Sequence, residues 1–330
     1  MPAKTGLQRK MTVPNVTIVV VPREQFSKAR QGLESIFAHT TPAYKLIYID
    51  GKSPSRLRRY LEDEAAEKGF RLIREERYLT GNQARNLAVP HIQTKYTVFI
   101  DNDVVPSPGW LEPLIECAEE TGAWVVGPVY CTGDLNNPVI HTLGGEQSID
   151  GGNGTRRWRE RHFYCGRLLS DVASELHRRP LDLVEFHCLL MRTEVFDRLG
   201  PFDPALLSYF DHSDFCLMVR NAGGPIYVEP RSVVTYLPPP PLALSDVPYF
   251  MLRWSNRWIN ASAIHFAHKN GIEVNDPVFE DHFEYQQAQR ARVLRHPRHV
   301  VRRILGYRAL TLLEKTIDRV LDWTVTAHLD

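Results

Sequence analysis

Residues 96–110, YTVFIDNDVVPSPGW, form the stretch that decides the fold of this chain of 330 residues. The first five are mostly apolar β-formers, which is typical of a strand buried on both faces. Asp101, Asn102 and Asp103 end that run, and the Pro-Ser-Pro-Gly segment after them predicts a turn before a helical pattern that begins at Trp110. A buried strand followed by an acidic turn and a helix indicates the ligand-binding edge of an α/β sheet.

Asp101 and Asp103 are two carboxylates at the carboxyl end of this predicted strand. Burying two negative charges so close together is costly unless a cation shares them. Because Mg²⁺ is usually held by one or two carboxylates plus substrate phosphates, the pair predicts a divalent metal and a phosphorylated ligand. The simpler interpretation is that both residues only cap the turn, as Asp often does.

Composition restricts the function classes. Hydrophobic residues make up 43% of the chain and charged residues 24%, which indicates a globular protein with an ample core. The net charge of +1 argues against a nucleic-acid partner. The five cysteines include no Cys-x-x-Cys pair, so they predict neither a zinc site nor a disulfide framework. Without a long apolar run or a signal-like start, we expect a cytoplasmic protein.

Strands and helical segments alternate along the chain, which predicts a parallel α/β sheet with its ligand at the carboxyl edge. The predicted strands are residues 16–21, 44–49, 70–73, 96–100, 124–129, 183–191 and 226–228. The predicted helices are residues 29–37, 57–68, 81–89, 215–221, 249–269 and 305–323. Residues 144–154, rich in Gly, Asn and Asp, predict a loop, and four prolines at 238–241 predict an extended linker.

The order of short motifs resembles the inverting family 2 glycosyltransferases of GT-A fold. The motifs are VTIVVVP from residue 16, IDGKS from 49, GNQARN from 81, FIDND from 99, PGWL from 108, LMRTEVF from 190, LGPFD from 199, DHSDFCL from 211 and AGG from 222. The resemblance implies a Rossmann-like, mostly parallel sheet flanked by helices over residues 13–236. A polar tail, residues 1–12, would precede this domain, and a Pro-rich linker with a helical C-terminal extension, residues 237–330, would follow it.

In that family, a strand-end Pro, an Asp after the second strand and an Arg of the Ala-Arg-Asn helix shape the nucleotide pocket. The resemblance gives these roles to Pro22, Asp50 and Arg85, with Asp50 accepting from the base, most often uracil. Arg85 would pair with a phosphate or with Asp101, although a helix-surface cation is the simpler interpretation. Gly81 would let the backbone approach the ligand.

Two further residues are expected to meet the nucleotide-sugar. The chain departs from the family where Arg23-Glu24-Gln25 replaces the common Thr-Tyr-Asn, and Glu24 is expected to take over a base contact. Asn102 is expected either to point towards the sugar or to complete the turn. A UDP-type donor is favoured, while the sugar, the acceptor and the linkage stay open.

The resemblance also implies that Asp103, with or without Asp101, holds Mn²⁺ or Mg²⁺ against the diphosphate of a nucleotide-diphospho-sugar. The family often adds a His after the last strand as a third ligand, and Tyr236 stands at that place. His141 and His187 could compensate. Because a lone histidine is more often structural, neither is assigned to the metal.

An inverting transferase needs a base that deprotonates the acceptor hydroxyl. The family usually presents a Glu-Asp pair where this chain has Asp211-His212, so register favours His212 as the base and chemical type favours Asp211. Asp214 lies one turn away. The simpler interpretation is that these polar residues cap a helix beginning near Phe215.

Two stretches in the C-terminal part of the chain each allow two interpretations. The stretch from Trp254 to Trp258 resembles one that stacks on acceptor sugars in some family members, or it packs a helix against the core. Residues 290–308 contain seven arginines, which predict either a basic face for peripheral contact with an anionic membrane or a solvated helix.

The sequence therefore predicts a GT-A glycosyltransferase that moves a sugar to a hydroxyl of a glycan, glycolipid or small-molecule acceptor. One alternative is a non-catalytic nucleotide- or glycan-binding protein of the same fold. The other is a sugar nucleotidyltransferase, which is disfavoured because Pro22-Arg23-Glu24 is not a Gly-rich phosphate loop.

Overall fold

A mixed sheet of ten strands forms the centre of the fold. The computed structural model describes residues 15–151, 156–237, 242–274 and 276–293, with six single positions between 303 and 319. The described strands are β1 (Val16–Val21), β2 (Tyr44–Gly51), β3 (Arg71–Glu75), β4 (Tyr96–Asp101), β5 (Val104–Pro106), β6 (Val125–Thr132), β7 (Val139–Thr142), β8 (Gly145–Asp150), β9 (Arg157–His162), β10 (Arg179–Leu181), β11 (Cys188–Arg192) and β12 (Ile226–Tyr236). The described helices are α1 (Ala29–His39), α2 (Ser55–Lys68), α3 (Gly81–Ala88), α4 (Leu111–Thr121), α5 (Leu169–Val172), α6 (Val195–Leu199), α7 (Asp211–Asn221), α8 (Val247–Arg253), α9 (Asn256–Asn270) and α10 (Val278–Val293).

The sheet is mostly parallel, as predicted. Its main path runs β10-β12-β6-β11-β4-β1-β2-β3, and β5 and β7 pair with β12 and β6. Strands β1 to β4 are parallel neighbours, whereas β11 lies antiparallel between β4 and β6. Because the carboxyl ends of β1 and β4 meet at one edge, the turns after Val21 and Asp101 lie side by side.

Apolar layers cover both faces of the sheet. Along β1, Val16, Ile18 and Val20 pack into one layer, and Val19 and Val21 pack into the other. This alternation follows from the two-residue period of a strand. It confirms that the central strands are buried on both faces and leaves their ends as the sites for polar chemistry.

Several element boundaries differ from prediction. Residues 144–154 are not a loop throughout, because β8 pairs antiparallel with β9 as a two-stranded sheet. Trp158 of β9 is buried against Phe210 and Phe266, which fixes this hairpin to the core. The predicted helix 249–269 is two helices, because the Ser255 side chain accepts a hydrogen bond from the backbone N–H of Trp258 and caps α9.

The C-terminal extension is helical in its described part, through α8, α9 and α10. The polar tail 1–12, the prolines 238–241 and most of the predicted helix 305–323 lie outside the described residues, and the domain boundaries stay predictions. Arg290, the first of the seven arginines, is buried and donates to the carbonyl of Trp254, so it contributes no basic surface. In the part that the structure describes, no helix has the length and apolar character needed to cross a membrane.

Candidate active site

The predicted acidic turn lies beside the turn that follows β1. Register pairs Val21 with Asp101. The backbone N–H of Asn102 donates to the carbonyl of Val21 at 2.9 Å, and the Asn102 side-chain oxygen accepts from the N–H of Arg23 at 2.9 Å. The Asn102 carboxamide therefore holds the two turns together, and its contact with a sugar stays a prediction.

Asp101 is buried among three cationic or protonatable groups. Its Oδ2 lies 3.4 Å from Nε of Arg23 and 3.1 Å from Nδ1 of His187, and its Oδ1 lies 3.9 Å from Nη2 of Arg85. Burial alone would raise the pKa of Asp101, but Arg23, His187 and Arg85 together hold it below its ordinary value. Asp101 is therefore an ionised carboxylate inside the protein.

Asp103 lies in the opposite electrostatic situation. Both of its carboxylate oxygens are buried, and neither has a hydrogen-bond partner among the described residues. Burial, followed by the charges of Asp101 and Glu24, raises the pKa of Asp103 well above its ordinary value. Buried acceptors without a partner are costly, so this carboxylate fits a cation that would coordinate it together with Asp101.

Glu24 is hydrogen-bonded to residues of β12 and α8, which lie more than 200 positions later in the chain. Its two oxygens accept hydrogen bonds from the Tyr236 hydroxyl at 2.6 Å and from Nε of Arg253 at 3.1 Å. Burial would raise the pKa of Glu24, but Arg253 and Arg23 hold it below its ordinary value. Tyr236, which replaces the family's third metal ligand, thus donates to Glu24 in this structure.

Arg85 is a buried cation at the centre of the site. The Thr80–Gln83 capping box begins α3, and one turn later this helix points Arg85 into the protein, where the residue is fully buried. Its Nη1 donates to Oδ2 of Asp211 at 2.9 Å, and its guanidinium lies 3.6 Å from the ring centre of Phe186. The interpretation of Arg85 as a helix-surface cation is therefore wrong.

Gly81 provides the space for this arginine. A Cβ built at Gly81 would lie 2.9 Å from Nη1 of Arg85, closer than the two atoms can pack. The close approach that Gly81 permits in this structure is to Arg85. Its approach to a bound nucleotide stays a prediction.

Asp211 and His212 open α7, which begins four residues earlier than predicted. The preceding residue, Phe210, has a φ of 64°, a left-handed conformation that is uncommon for a bulky side chain. Nδ1 of His212 lies 3.6 Å from Oδ1 of Asp211. Burial would raise the pKa of Asp211, but the contacts with His212 and Arg85 hold it far below its ordinary value. Asp214 instead pairs with Lys269 at 2.8 Å.

Pro22 and Asp50 lie at the ends of β1 and β2. The Pro22 carbonyl accepts from the Tyr249 hydroxyl at 3.3 Å. Asp50 is buried, and its oxygens accept from the backbone and hydroxyl of Ser53 and from the guanidinium of Arg74. These contacts orient Asp50 firmly, and its role towards a nucleotide base stays a prediction.

A cleft of about 330 Å³ opens beside these residues, between the sheet edge and the C-terminal helices. Of the predicted site residues it is lined by Glu24, Asp211 and His212. Trp254 lines it too, whereas Trp258 packs against Leu252 in a separate apolar cluster. Trp254 therefore lies where an acceptor could contact it, as one interpretation of this stretch predicts, whereas Trp258 packs between helices, as the other predicts.

Other cleft residues were not identified from the sequence. They include Arg23, Glu160, His162, Glu185 and Arg253. Arg23 could have been found, because it follows β1, the strand next to β4. Glu160 and His162 belong to the hairpin that was predicted as a loop or left unassigned, and Glu185 lay inside a predicted strand, where no local signal marks it.

Comparison with known proteins agrees with this architecture. Residues 17–175 match the family model described as glycosyl transferase family 2. A crystal structure of GalNAc-T7 with UDP, GalNAc and Mn²⁺ is similar, with a TM-score of 0.53 and 14% identity over 85% of this chain and 55% of that chain. That likeness shows the fold alone, and this chain spans little more than half the length of GalNAc-T7. No curated protein matches the chain. Residues 17–175, just under half of the chain, are therefore similar to family 2 glycosyltransferases, and the fold of the chain is of the GT-A type.

Proposed function

We propose that this glycosyltransferase moves a sugar from a nucleotide-diphospho-sugar, with a UDP-type donor favoured, to an acceptor hydroxyl with inversion at the anomeric carbon. The observation that carries the proposal is Asp103, whose two buried carboxylate oxygens have no hydrogen-bond partner among the described residues. A divalent cation and its phosphate oxygens would satisfy them. The crystal structure of GalNAc-T7, which contains UDP and Mn²⁺, supports this choice.

Asp101 and Asp103 would hold Mn²⁺ or Mg²⁺, which when bound would neutralise charge on the departing nucleoside diphosphate. The chain adds cations of its own at the same place. Arg23 lines the cleft, and its Nε lies 3.4 Å from Oδ2 of Asp101, too far for a well-formed hydrogen bond. Its guanidinium can also donate to a phosphate, while the buried Arg85 balances Asp101 and Asp211.

His212 is the proposed base. Asp211 is engaged by Arg85, and its lowered pKa makes it a weak proton acceptor. The same carboxylate lies 3.6 Å from Nδ1 of His212, so it can orient the imidazole with Nε2 as the acceptor. The acceptor oxygen would attack the anomeric carbon, the bond from that carbon to the diphosphate oxygen would break, and the hydroxyl proton would pass to Nε2. The electron pair of the broken bond leaves with the nucleoside diphosphate.

The acceptor would enter the cleft, whose walls suit a sugar or another polyhydroxyl compound. Aromatic rings of Trp158, Tyr209 and Trp254 line it, together with the carboxylates of Glu160 and Asp281. Rings offer apolar faces and carboxylates accept from hydroxyl groups, a combination that fixes the orientation of a small ligand. Glycan, glycolipid and small-molecule acceptors all satisfy this chemistry.

The experiment that tests the proposal combines turnover with stereochemistry. The full chain is incubated with a panel of nucleotide-sugars, Mn²⁺ and an acceptor panel, and release of nucleoside diphosphate is followed. We expect transfer, with a product whose anomeric configuration by NMR is opposite to that of the donor. Retained configuration would contradict the inverting mechanism. Tight nucleotide binding with no turnover across both panels would instead support the non-catalytic alternative.

A further inference from the structure

Three residues that the mechanism does not use converge on the wall of the cleft. They are His141 in β7 and Glu185 and His187 just before β11. One ligand atom from each lies within 4.8 Å of the other two. Oε2 of Glu185 lies 3.5 Å from Nε2 of His141 and 3.3 Å from Nε2 of His187.

These separations match a shared metal ion better than hydrogen bonds. Two ligand atoms that each lie about 2.1 Å from a tetrahedral ion are roughly 3.4 Å apart. A hydrogen bond between an imidazole and a carboxylate is normally about 2.7–3.0 Å long. The two spacings between Oε2 of Glu185 and the imidazole nitrogens are therefore those of neighbouring ligands around a tetrahedral cation.

The protonation pattern of His187 points the same way. Its Nδ1 lies 3.1 Å from Oδ2 of Asp101, and an ionised carboxylate can only accept, so Nδ1 carries the proton. With the Nδ1 proton directed to Asp101, Nε2 of His187 faces Oε2 of Glu185 at 3.3 Å and is the ring nitrogen that would bind a cation.

Glu185 and His187 lie on a short backbone segment that is held in place by Tyr130. The Tyr130 hydroxyl accepts from the backbone N–H of Glu185 at 3.1 Å and lies 2.8 Å from the carbonyl oxygen of Cys188. Tyr130 thus fixes the backbone segment that presents Glu185 and His187.

We propose that His141, Glu185 and His187 bind a divalent transition-metal ion of the Zn²⁺ class, with one coordination position open to the cleft. Two imidazoles and a carboxylate suit Zn²⁺ rather than Mg²⁺, which prefers oxygen ligands. Asp101 completes the arrangement, because metal-bound histidines usually donate their second ring N–H to a carboxylate. The lack of a Cys-x-x-Cys pair argues only against a zinc site built from cysteines. The site proposed here has no cysteine ligand.

The open position gives the ion a function in the cleft. A hydroxyl of the acceptor bound there would lose its proton more readily, since a metal-bound hydroxyl group has a lowered pKa. This role rests on the proposed transfer reaction. The metal site itself does not, because it follows from the three ligands and from Asp101.

The test measures metal binding by the full chain after treatment with a chelator, with no nucleotide present. Co²⁺ is titrated while its visible d–d absorption is recorded, and Zn²⁺ is then added in competition. We expect one equivalent of Co²⁺ with the intense absorption of a four-coordinate site, displaced by Zn²⁺. His141→Ala and Glu185→Gln should each weaken binding by more than roughly 100-fold, because loss of an outer partner alone costs about 10–100-fold.

Two control variants separate this site from its neighbours. His282→Ala removes another cleft histidine, one that stacks on Trp158, and Asp103→Asn removes the carboxylate proposed for the donor site. Both should bind Co²⁺ as the wild type does. Binding that is lost in Asp103→Asn but kept in His141→Ala would assign the ion to the acidic turn and overturn the proposal.

Absence of Co²⁺ and Zn²⁺ binding in the wild type would overturn it as well. Far-UV circular dichroism and melting temperatures check that each variant folds. The side chain of His141 is 34% exposed, so we expect His141→Ala to fold. This variant alone can therefore test the proposal if Glu185→Gln does not fold. Because no step depends on turnover, the result is independent of whether the proposed transfer reaction is observed.

Discussion

At the scale of single residues, the site is defined by which carboxylates have partners. Asp211 is paired with Arg85, Glu24 with Tyr236 and Arg253, and Asp103 has no hydrogen-bond partner among the described residues. An engaged carboxylate is a positioning group, whereas an unpaired buried carboxylate is suited to bind a cation. The two roles follow from local contacts rather than from residue type.

His212→Asn should lower kcat by roughly 100- to 10,000-fold, the usual contribution of a general base, while the KM for the donor stays near that of the wild type. Steady-state kinetics of transfer measure both constants. Asp214→Asn is the matched control: Asp214 lies in the same helix, but its carboxylate pairs with Lys269, so kcat should be unchanged. Full activity of His212→Asn would exclude His212 as the base.

Gly81→Ala should destabilise the protein by about 1–3 kcal/mol, the usual cost of overpacking, and should lower transfer. The new Cβ would lie 2.9 Å from Nη1 of Arg85, and Arg85 cannot move without leaving Asp211. Urea unfolding measures the change in the free energy of unfolding. A variant as stable and as active as the wild type would show that the position of Arg85 does not depend on Gly81.

The sequence predicted many of these residues but few of their contacts. Asp101 and Asp103 were singled out because they follow a buried strand, whereas Arg85 and Asp211 were singled out only by the resemblance to a known family. The burial of Arg85 was not predictable from its helix alone, since its partner Asp211 is 126 positions away. Contacts over such separations depend on the assembled sheet, which no local pattern encodes.

At the scale of secondary-structure elements, strands were predicted better than the connections between them. Strands β1, β2 and β4 are mostly apolar, which is a strong local signal. The β8–β9 hairpin was missed because Gly and polar residues dominate its sequence and its order comes from packing of Trp158 against Phe210 and Phe266. The break between α8 and α9 did have a local signal, the capping residue Ser255.

Asp203 ties the segment after α6 to α9, through contacts of 2.9 Å each with His265 and Lys269. Burial would raise its pKa, but these partners lower the pKa of Asp203 to about 2. Its stabilising contribution is therefore fully present above the unfolded-state pKa of about 3.9 and is lost as the pH falls through about 2.

Asp203→Asn should accordingly reduce the free energy of unfolding at pH 7 by about 1 kcal/mol or less, with the difference shrinking as the pH falls below 4. Urea unfolding curves at several pH values measure it. Asp197→Asn, at an exposed position of α6, is the control and should show no change. A difference that grew towards low pH would contradict the assigned pairing.

At the scale of the whole molecule, the C-terminal extension forms part of the site. The extension supplies Asp246, Tyr249 and Arg253, which bond to Ser27, Pro22 and Glu24 in or just after the turn that follows β1. These contacts join residues more than 200 positions apart, so a sequence read segment by segment could not anticipate them. They also place the proposed acceptor cleft between the extension and the sheet.

The central claim is that the acidic turn binds a nucleoside diphosphate through a divalent cation. It is tested most directly by the melting temperature of the wild type, Asp103→Asn and the control Asp197→Asn with UDP, with and without Mn²⁺. A ligand at 100 times its Kd stabilises the folded state by about 2.7 kcal/mol. We predict an Mn²⁺-dependent rise for the wild type and the control, and its loss in Asp103→Asn. Equal stabilisation of all three proteins, with or without Mn²⁺, would contradict the claim.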